Sequence, residues 1–243
     1  TSYVAIKYNS KPSAQDISYC RNQYGLDRNR YVSYIIKQPT FWQAMRVIMD
    51  LIIKCKGRVL LYIGTNDGIL TVYQWIATNY PEFIGDIGIF TSLVDRDKKM
   101  IEKGKKLIIS TTKSAGLGEH IEGLKMTVVV AEPFKSEVIA RQTLGRTRDG
   151  NTMYIELVDM GFKYIRNFYY AKQEVFRKYA SDISDINMDY YELERRSIVL
   201  QKQRELPPGK RCPILFQDKR FFEYDENPKR ELKEGIHFFP QKM

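Results

Sequence analysis

Leu107-Ile108-Ile109-Ser110-Thr111-Thr112-Lys113-Ser114-Ala115-Gly116-Leu117-Gly118 is an apolar run that ends abruptly in hydroxyls, a lysine and glycines. A second apolar run, Thr127–Val130, follows it, and after that comes Gln142-Thr143-Leu144-Gly145-Arg146-Thr147-Arg148. Short continuous apolar runs bounded by turn residues have the character of strands buried on both faces. Glycine lets a backbone come close to a ligand. A guanidinium is always charged and forks onto phosphate oxygens, so the second stretch suits phosphoryl chemistry.

The same alternation extends in both directions. Upstream are a strand-like run at Val59–Ile63, helical spacing at Ile69–Thr78, a strand at Ile87–Phe90, and an amphipathic charged segment at Leu93–Lys103 closed by Gly104. Downstream, Ser136–Gln142 reads as a helix and Met153–Val158 as a strand. Strands alternating with helices predict a mainly parallel sheet covered on both faces. Right-handed crossovers then bring all the strand C-terminal ends to one edge. The loops Gly64–Gly68, Phe90–Asp95, Ser110–Gly123 and Ala131–Lys135 gather there.

The flanks are read more coarsely. Thr1–Tyr8 alternates like a strand, and residues 9–40 are polar, tyrosine-rich and assigned to no element. Phe41, Met45, Ile48, Met49 and Ile52 recur at helical spacing, predicting a helix over Phe41–Lys56 capped by Thr40 and stopped by Gly57. Beyond Gly161, helices are expected at Phe162–Tyr179 and Tyr190–Arg204, the second broken by Pro207-Pro208-Gly209 before an irregular stretch to Met243. The tyrosines of this region are read as core packing rather than as platforms for bases.

The order of blocks over residues 58–160 resembles the second RecA-like domain of superfamily 2 helicases and translocases. Arg58-Val59-Leu60-Leu61-Tyr62-Ile63-Gly64-Thr65 is similar to motif IV, and Ile89-Phe90-Thr91-Ser92 with Arg96 is similar to the next strand and its polar end. Leu107–Gly118 resembles motif V, with a likeness to the remodeller-type branch, and Gln142–Arg148 resembles motif VI. Glu132-Pro133 stands where that family often has an acidic residue and a proline.

The resemblance implies an α/β fold over residues 1–160, with residues 1–40 as an entry segment: a RecA-like, mainly parallel sheet with helices on both faces. A mainly helical C-terminal extension, residues 161–243, follows. It also implies a role as the second motor domain of an ATP-dependent helicase or translocase. Arg146 and Arg148 would be the catalytic arginines, with Gln142 ordering the phosphate and the attacking water. The arginines are one residue closer than usual and Asp149 takes the usual second position, so either can be the finger. Gly116, Gly118 and Glu119 would approach the nucleotide. Thr65, Asn66, Thr91, Ser92, Thr111, Thr112 and Lys113 would face a nucleic-acid backbone. ATP and Mg²⁺ would be held mainly by a first RecA-like domain outside this chain, because the 243 residues contain no Gly-x-x-x-x-Gly-Lys-Ser/Thr loop and no Asp-Glu box after a strand.

Composition agrees with a polyanionic partner, nucleic acid or an anionic membrane; the partner expected is nucleic acid, DNA over RNA, and no membrane. There are 39 Lys and Arg against 29 Asp and Glu, a net charge of +10, which suits polyanions. Residues 162–243 carry seventeen basic against thirteen acidic side chains, which a solvated face explains as well as a dedicated patch. Cys20, Cys55 and Cys212 lie far apart without Cys-x-x-Cys spacing, and His120 and His237 are isolated, so no metal site is expected. An odd cysteine count fits a reducing compartment. No run of apolar residues long enough to span a membrane is present, nor a signal-peptide pattern at the start. The expected location is cytoplasmic or nucleic-acid-associated, not secreted. A competing reading is a non-catalytic basic module that binds nucleic acid or a partner through a degenerate helicase fold. A nucleotide enzyme of unrelated chemistry is disfavoured by the missing phosphate loop.

Overall fold

The computed structural model describes residues 1–92, 94–95, 98, 102–115, 121–144 and 152–188. Nine strands occur among them: β1 Ser2–Tyr8, β2 Arg21–Asn22, β3 Gly25–Leu26, β4 Arg58–Tyr62, β5 Ile87–Phe90, β6 Leu107–Ser110, β7 Leu124–Val129, β8 Met153–Asp159 and β9 Asp182–Asn187. The helices are α1 Ala14–Tyr19, α2 Arg28–Ile35, α3 Pro39–Lys54, α4 Asn66–Asn79, α5 Thr112–Ala115, α6 Glu137–Leu144 and α7 Lys163–Tyr179. Seven strands form one sheet in the order β5-β6-β4-β7-β8-β1-β9, and β2 and β3 form a separate antiparallel hairpin.

The pairs β5–β6, β6–β4, β4–β7, β7–β8 and β8–β1 are all parallel. Consecutive residues of a strand point to opposite faces. Val59, Leu60, Leu61 and Tyr62 are all fully buried, as are Leu107, Ile108, Ile109 and Ser110. Both faces of the sheet are therefore covered, as the continuous apolar runs required. The register puts Tyr62 beside both Ser110 and Val129, and Ser110 beside Phe90. The C-terminal ends of β4, β5, β6 and β7 thus lie along one edge.

One element begins differently from the sequence expectation, and one unassigned stretch proves structured. Helix α3 starts at Pro39 with Gln38 as its flanking residue, and Thr40 lies inside the helix rather than capping it. Proline suits this position because its fixed φ is helical and its missing N–H is an unpaired donor there anyway. The α3 face formed by Phe41, Met45, Ile48, Met49 and Ile52 is fully buried, each large side chain contributing about 1.5–3 kcal/mol. The stretch 9–40, assigned to no element from sequence, holds α1, the β2–β3 hairpin and α2.

Strand β1 joins the sheet between β8 and β9, so the entry segment begins as part of the core. Asp159, fully buried at the end of β8, fixes the chain leaving β1. Its carboxylate accepts from the Ser10 hydroxyl at 2.6 Å, the Ser10 amide at 3.1 Å and the Gly161 amide at 2.9 Å. Burial raises this carboxyl above the usual range in spite of those bonds, which pull the other way.

The chain divides into two compact units, Thr1–Ile186 and Asn187–Met243. The first unit runs past the boundary expected at residue 160. Helix α7 packs on β8 and α6, and Lys172, buried within α7, forms an ion pair with the buried Glu156 of β8. Tyr3 donates to the same carboxylate at 2.9 Å and stacks on Phe176 of α7 with ring centroids 3.9 Å apart. The helix expected at Tyr190–Arg204 lies outside the described residues, as does most of the one expected at Leu93–Lys103.

Candidate nucleic-acid interface

The edge formed by the strand C-terminal ends opens into a groove of about 740 Å³. Thr65, Asn66, Ser92, Thr111 and Lys113, all expected from the sequence to face a nucleic-acid backbone, line it together. The loops that carry them are tied to the sheet. Ile63 donates its amide to the Ser110 carbonyl at 2.9 Å, Gly64 to that of Ala131 at 3.2 Å, and Val130 to that of Tyr62 at 3.0 Å. The Ser110 hydroxyl donates to the Phe90 carbonyl at 2.6 Å across to β5. A Cβ at Gly64 would stand 2.9 Å from both the Ala131 carbonyl oxygen and a Val32 methyl, so the close approach of three segments here requires glycine.

The two threonines act first as helix caps. Thr65 Oγ1 accepts from the Gly68 amide at 3.0 Å and starts α4. Thr111 Oγ1 accepts from the Ser114 amide at 3.1 Å and starts the single turn α5. Each cap satisfies one orphan amide and leaves the others of the first turn facing outward. The N-terminal end of a helix carries partial positive charge, which favours anions. The lining charges are mixed: Arg28 and Lys113 are positive and Asp67 is negative.

Two residues expected on the track are turned elsewhere. Thr91 is buried and Thr112 is half-buried, and neither is among the lining residues. Thr112 instead stands beside the Glu132 carboxylate and helps to stabilise its charge. Gln142 is exposed in the last turn of α6, away from the groove lining. The catalytic candidates Arg146 and Arg148 and the nucleotide candidates Gly116, Gly118 and Glu119 lie outside the described residues.

Sequence reading missed one wall of the groove. Arg28, Asn29, Ser33 and Ile36 line it from α2 and the residue just after it. The signal was present as Asp27 followed by Tyr31, Val32 and Ile35, an N-cap residue ahead of apolar positions at helical spacing. In the structure Asp27 Oδ1 accepts from the Arg30 amide at 3.1 Å, and that bond holds its carboxyl below the usual range. Arg28 donates through Nη1 to Glu132 Oε1 at 3.0 Å. The Glu132 side chain is 1% exposed, and burial raises its carboxyl above the usual value although Arg28 opposes this. Its other oxygen has no partner at hydrogen-bonding geometry among the described residues.

Among the described residues no group of histidines, cysteines and carboxylates is arranged to hold a metal ion. Among the same residues no helix is long and apolar enough to cross a membrane.

No protein-family model matches the sequence, and no curated protein does. Solved structures match in fold. The C-terminal domain of the DEAD-box protein Dbp5 superposes with a TM-score of 0.51 at 14% identity, over 82% of this chain and 97% of that one. UvsW of T4 superposes with a TM-score of 0.54 at 12% identity, over 77% of this chain and 41% of that one. The chain thus spans about two fifths of UvsW. With its parallel sheet, helices on both faces and polar loops along one edge, this chain has an α/β RecA-like fold similar to that of these solved structures.

Proposed function

We propose that this chain is the second motor domain of an ATP-dependent nucleic-acid helicase or translocase, and that the groove carries the nucleic-acid backbone. One observation carries the reading. Thr65, Asn66, Ser92, Thr111 and Lys113 come from three separate blocks of sequence and line a single open polar groove. The Thr65 cap uses the hydroxyl oxygen as acceptor, which leaves its hydrogen to donate to a phosphate. Lys113 is exposed and supplies a mobile point charge. Amides, hydroxyls and a lysine contact phosphate and sugar and read little sequence. Such chemistry is shared by DNA and RNA, and the preference for DNA expected from the sequence finds no support in the groove.

In this reading ATP and Mg²⁺ are held by a first RecA-like domain, and this chain closes on them with Arg146 or Arg148. The arginine lies against the phosphoryl oxygens as negative charge develops on them, and Gln142 orders the attacking water. Turnover alternately opens and closes the cleft between the domains, and the groove steps along the backbone.

Variants of the complete protein test the proposal. Arg146→Ala should lower nucleic-acid-stimulated ATP turnover by about 10³–10⁵, the usual worth of such an arginine, with binding little changed. Lys113→Ala should weaken binding equally for all sequences and flatten the salt dependence by about one charge. Near-normal turnover in both Arg146→Ala and Arg148→Ala would remove the motor assignment and leave the non-catalytic module as the better account. ATP hydrolysis by the 243-residue chain alone would refute the half-motor reading.

A further inference from the structure

The α2 wall has no counterpart in the sequence blocks that suggested a track, yet it supplies a cation to the groove. Arg28 is the first residue of α2, lines the groove, and has a side chain 32% exposed. Its single hydrogen bond to a described residue runs from Nη1 to Glu132. A guanidinium carries five N–H donors in a rigid fork, so the remaining donors are available on the groove side. Glu132 sits beyond β7 and is buried. A buried carboxylate keeps its charge only where a partner compensates it, so the pair fixes the guanidinium in place at the groove rather than letting it sample solvent. Asn29, the next residue, brings an amide side chain to the same wall.

We propose that α2 is an additional wall of the nucleic-acid groove, that Arg28 binds a backbone phosphate opposite Lys113, and that Glu132 is its positioning residue. This rests on the reading of the groove as a nucleic-acid track. Glu132 also stands beside Thr112, at the start of the turn that carries Lys113. One buried carboxylate therefore pairs with one cation of the groove and abuts the segment bearing the other. The groove then holds two cations, and each is expected to contribute one phosphate contact.

The test must separate phosphate binding from neutralisation of a buried acid, because removing Arg28 alone leaves Glu132 uncompensated. The informative variant is therefore Arg28→Gln with Glu132→Gln, compared with Glu132→Gln alone, in the complete protein. Affinity for a labelled single-stranded oligonucleotide of mixed sequence is measured across a salt series. Loss of one phosphate contact lowers the slope of log K against log salt by about 0.7, roughly a 2.5-fold difference in affinity change between about 50 and 200 mM salt. Measured against Glu132→Gln, the double variant should show that loss, and Arg28→Lys with Glu132→Gln should restore most of it.

If the double variant keeps the slope of Glu132→Gln while Lys113→Ala lowers that of the wild type, the α2 wall is structural and the inference falls, but the groove reading stands. If Lys113→Ala changes nothing either, both fall. Amide hydrogen exchange on the unaltered protein gives an independent check. Oligonucleotide binding should slow exchange over residues 28–31 as well as 66–68. Slowing at 66–68 alone would overturn the α2 assignment.

Discussion

Replacing Lys172 by methionine tests the account of how α7 is held to the sheet. The Lys172 side chain is 2% exposed and that of Glu156 is 8% exposed. The lysine also stands over the Phe134 ring, 4.2 Å from its centroid. Methionine keeps most of the length and the apolar stem and removes the ammonium group with its charge and its hydrogen bond. Glu156 then retains the Tyr3 hydroxyl at 2.9 Å but loses its counter-ion, and breaking one side of a buried pair costs about 3–5 kcal/mol. A unit of this size loses roughly 2–4 °C of Tm per kcal/mol, so the fall should be on the order of 6–20 °C. Changing Glu156 to leucine in the same protein removes the orphaned charge. Since replacing a whole buried pair by apolar groups is often neutral or stabilising, the double variant should recover most of the loss. Thermal unfolding followed by circular dichroism measures all three proteins. If Lys172→Met is harmless, or the double variant is no better than the single one, the ion pair is not what fixes α7 and the reasoning fails.

Three further outcomes are expected. Thr65→Ala should remove the α4 cap and cost about 1 kcal/mol of stability by urea titration, whereas Thr65→Ser should restore it. The Glu132 carboxyl is raised above its ordinary 4.5 by burial, so the native state binds its proton more tightly than the unfolded chain. Ionising Glu132 therefore subtracts stability as pH rises from about 4.5 through the raised value. The stability difference between wild type and Glu132→Gln, followed by denaturation at several pH values, should shift against wild type on passing from pH 4 to about 6, and a flat difference would contradict the assignment. Burial, aided by Asp16 and Asp27, pushes the Cys20 thiol up to about 12. Iodoacetamide at mild alkaline pH should therefore spare Cys20 and label half-buried Cys55 in the native protein, with both labelled in urea, as peptide mapping would show.

The sheet was legible because its strands are short, continuous and apolar, and such runs have few alternatives once glycines and helical spacings separate them. Val59–Ile63, Ile87–Phe90 and Leu107–Ile109 fall within a residue of β4, β5 and β6. Parallel pairing followed from the alternation, and it predicted that Thr65 and Thr111 share an edge, where both line the groove. The α2 wall was not legible in the same way. Residues 9–40 are polar and short in period, and α2 is held by partners distant in sequence. Tyr31 and Tyr34 pack edge-on against Phe162, and Arg28 is paired with Glu132, 104 residues away. The division expected at residue 160 assigned α7 to the extension for a related reason. Lys172 reads as a surface charge on an amphipathic helix until its partner Glu156 is seen in the sheet.

Local sequence thus determined which segments are strands and helices and which polar residues end them, because hydrophobic period and turn chemistry act over a few residues. It also assigned Thr65, Asn66, Thr91, Ser92, Thr111, Thr112 and Lys113 to one edge, since parallel strands leave their ends no other place to go. Only the tertiary structure decided which of those hydroxyls face the groove and which are turned inward. Thr65 and Thr111 line it while Thr91 and Thr112 do not, because small polar side chains at a strand end carry no period and are oriented by whichever cap or buried charge lies within reach. Tertiary structure alone also brought Arg28 and Glu132 together across the chain, since a buried charge selects its partner in space and leaves no mark in the sequence around it.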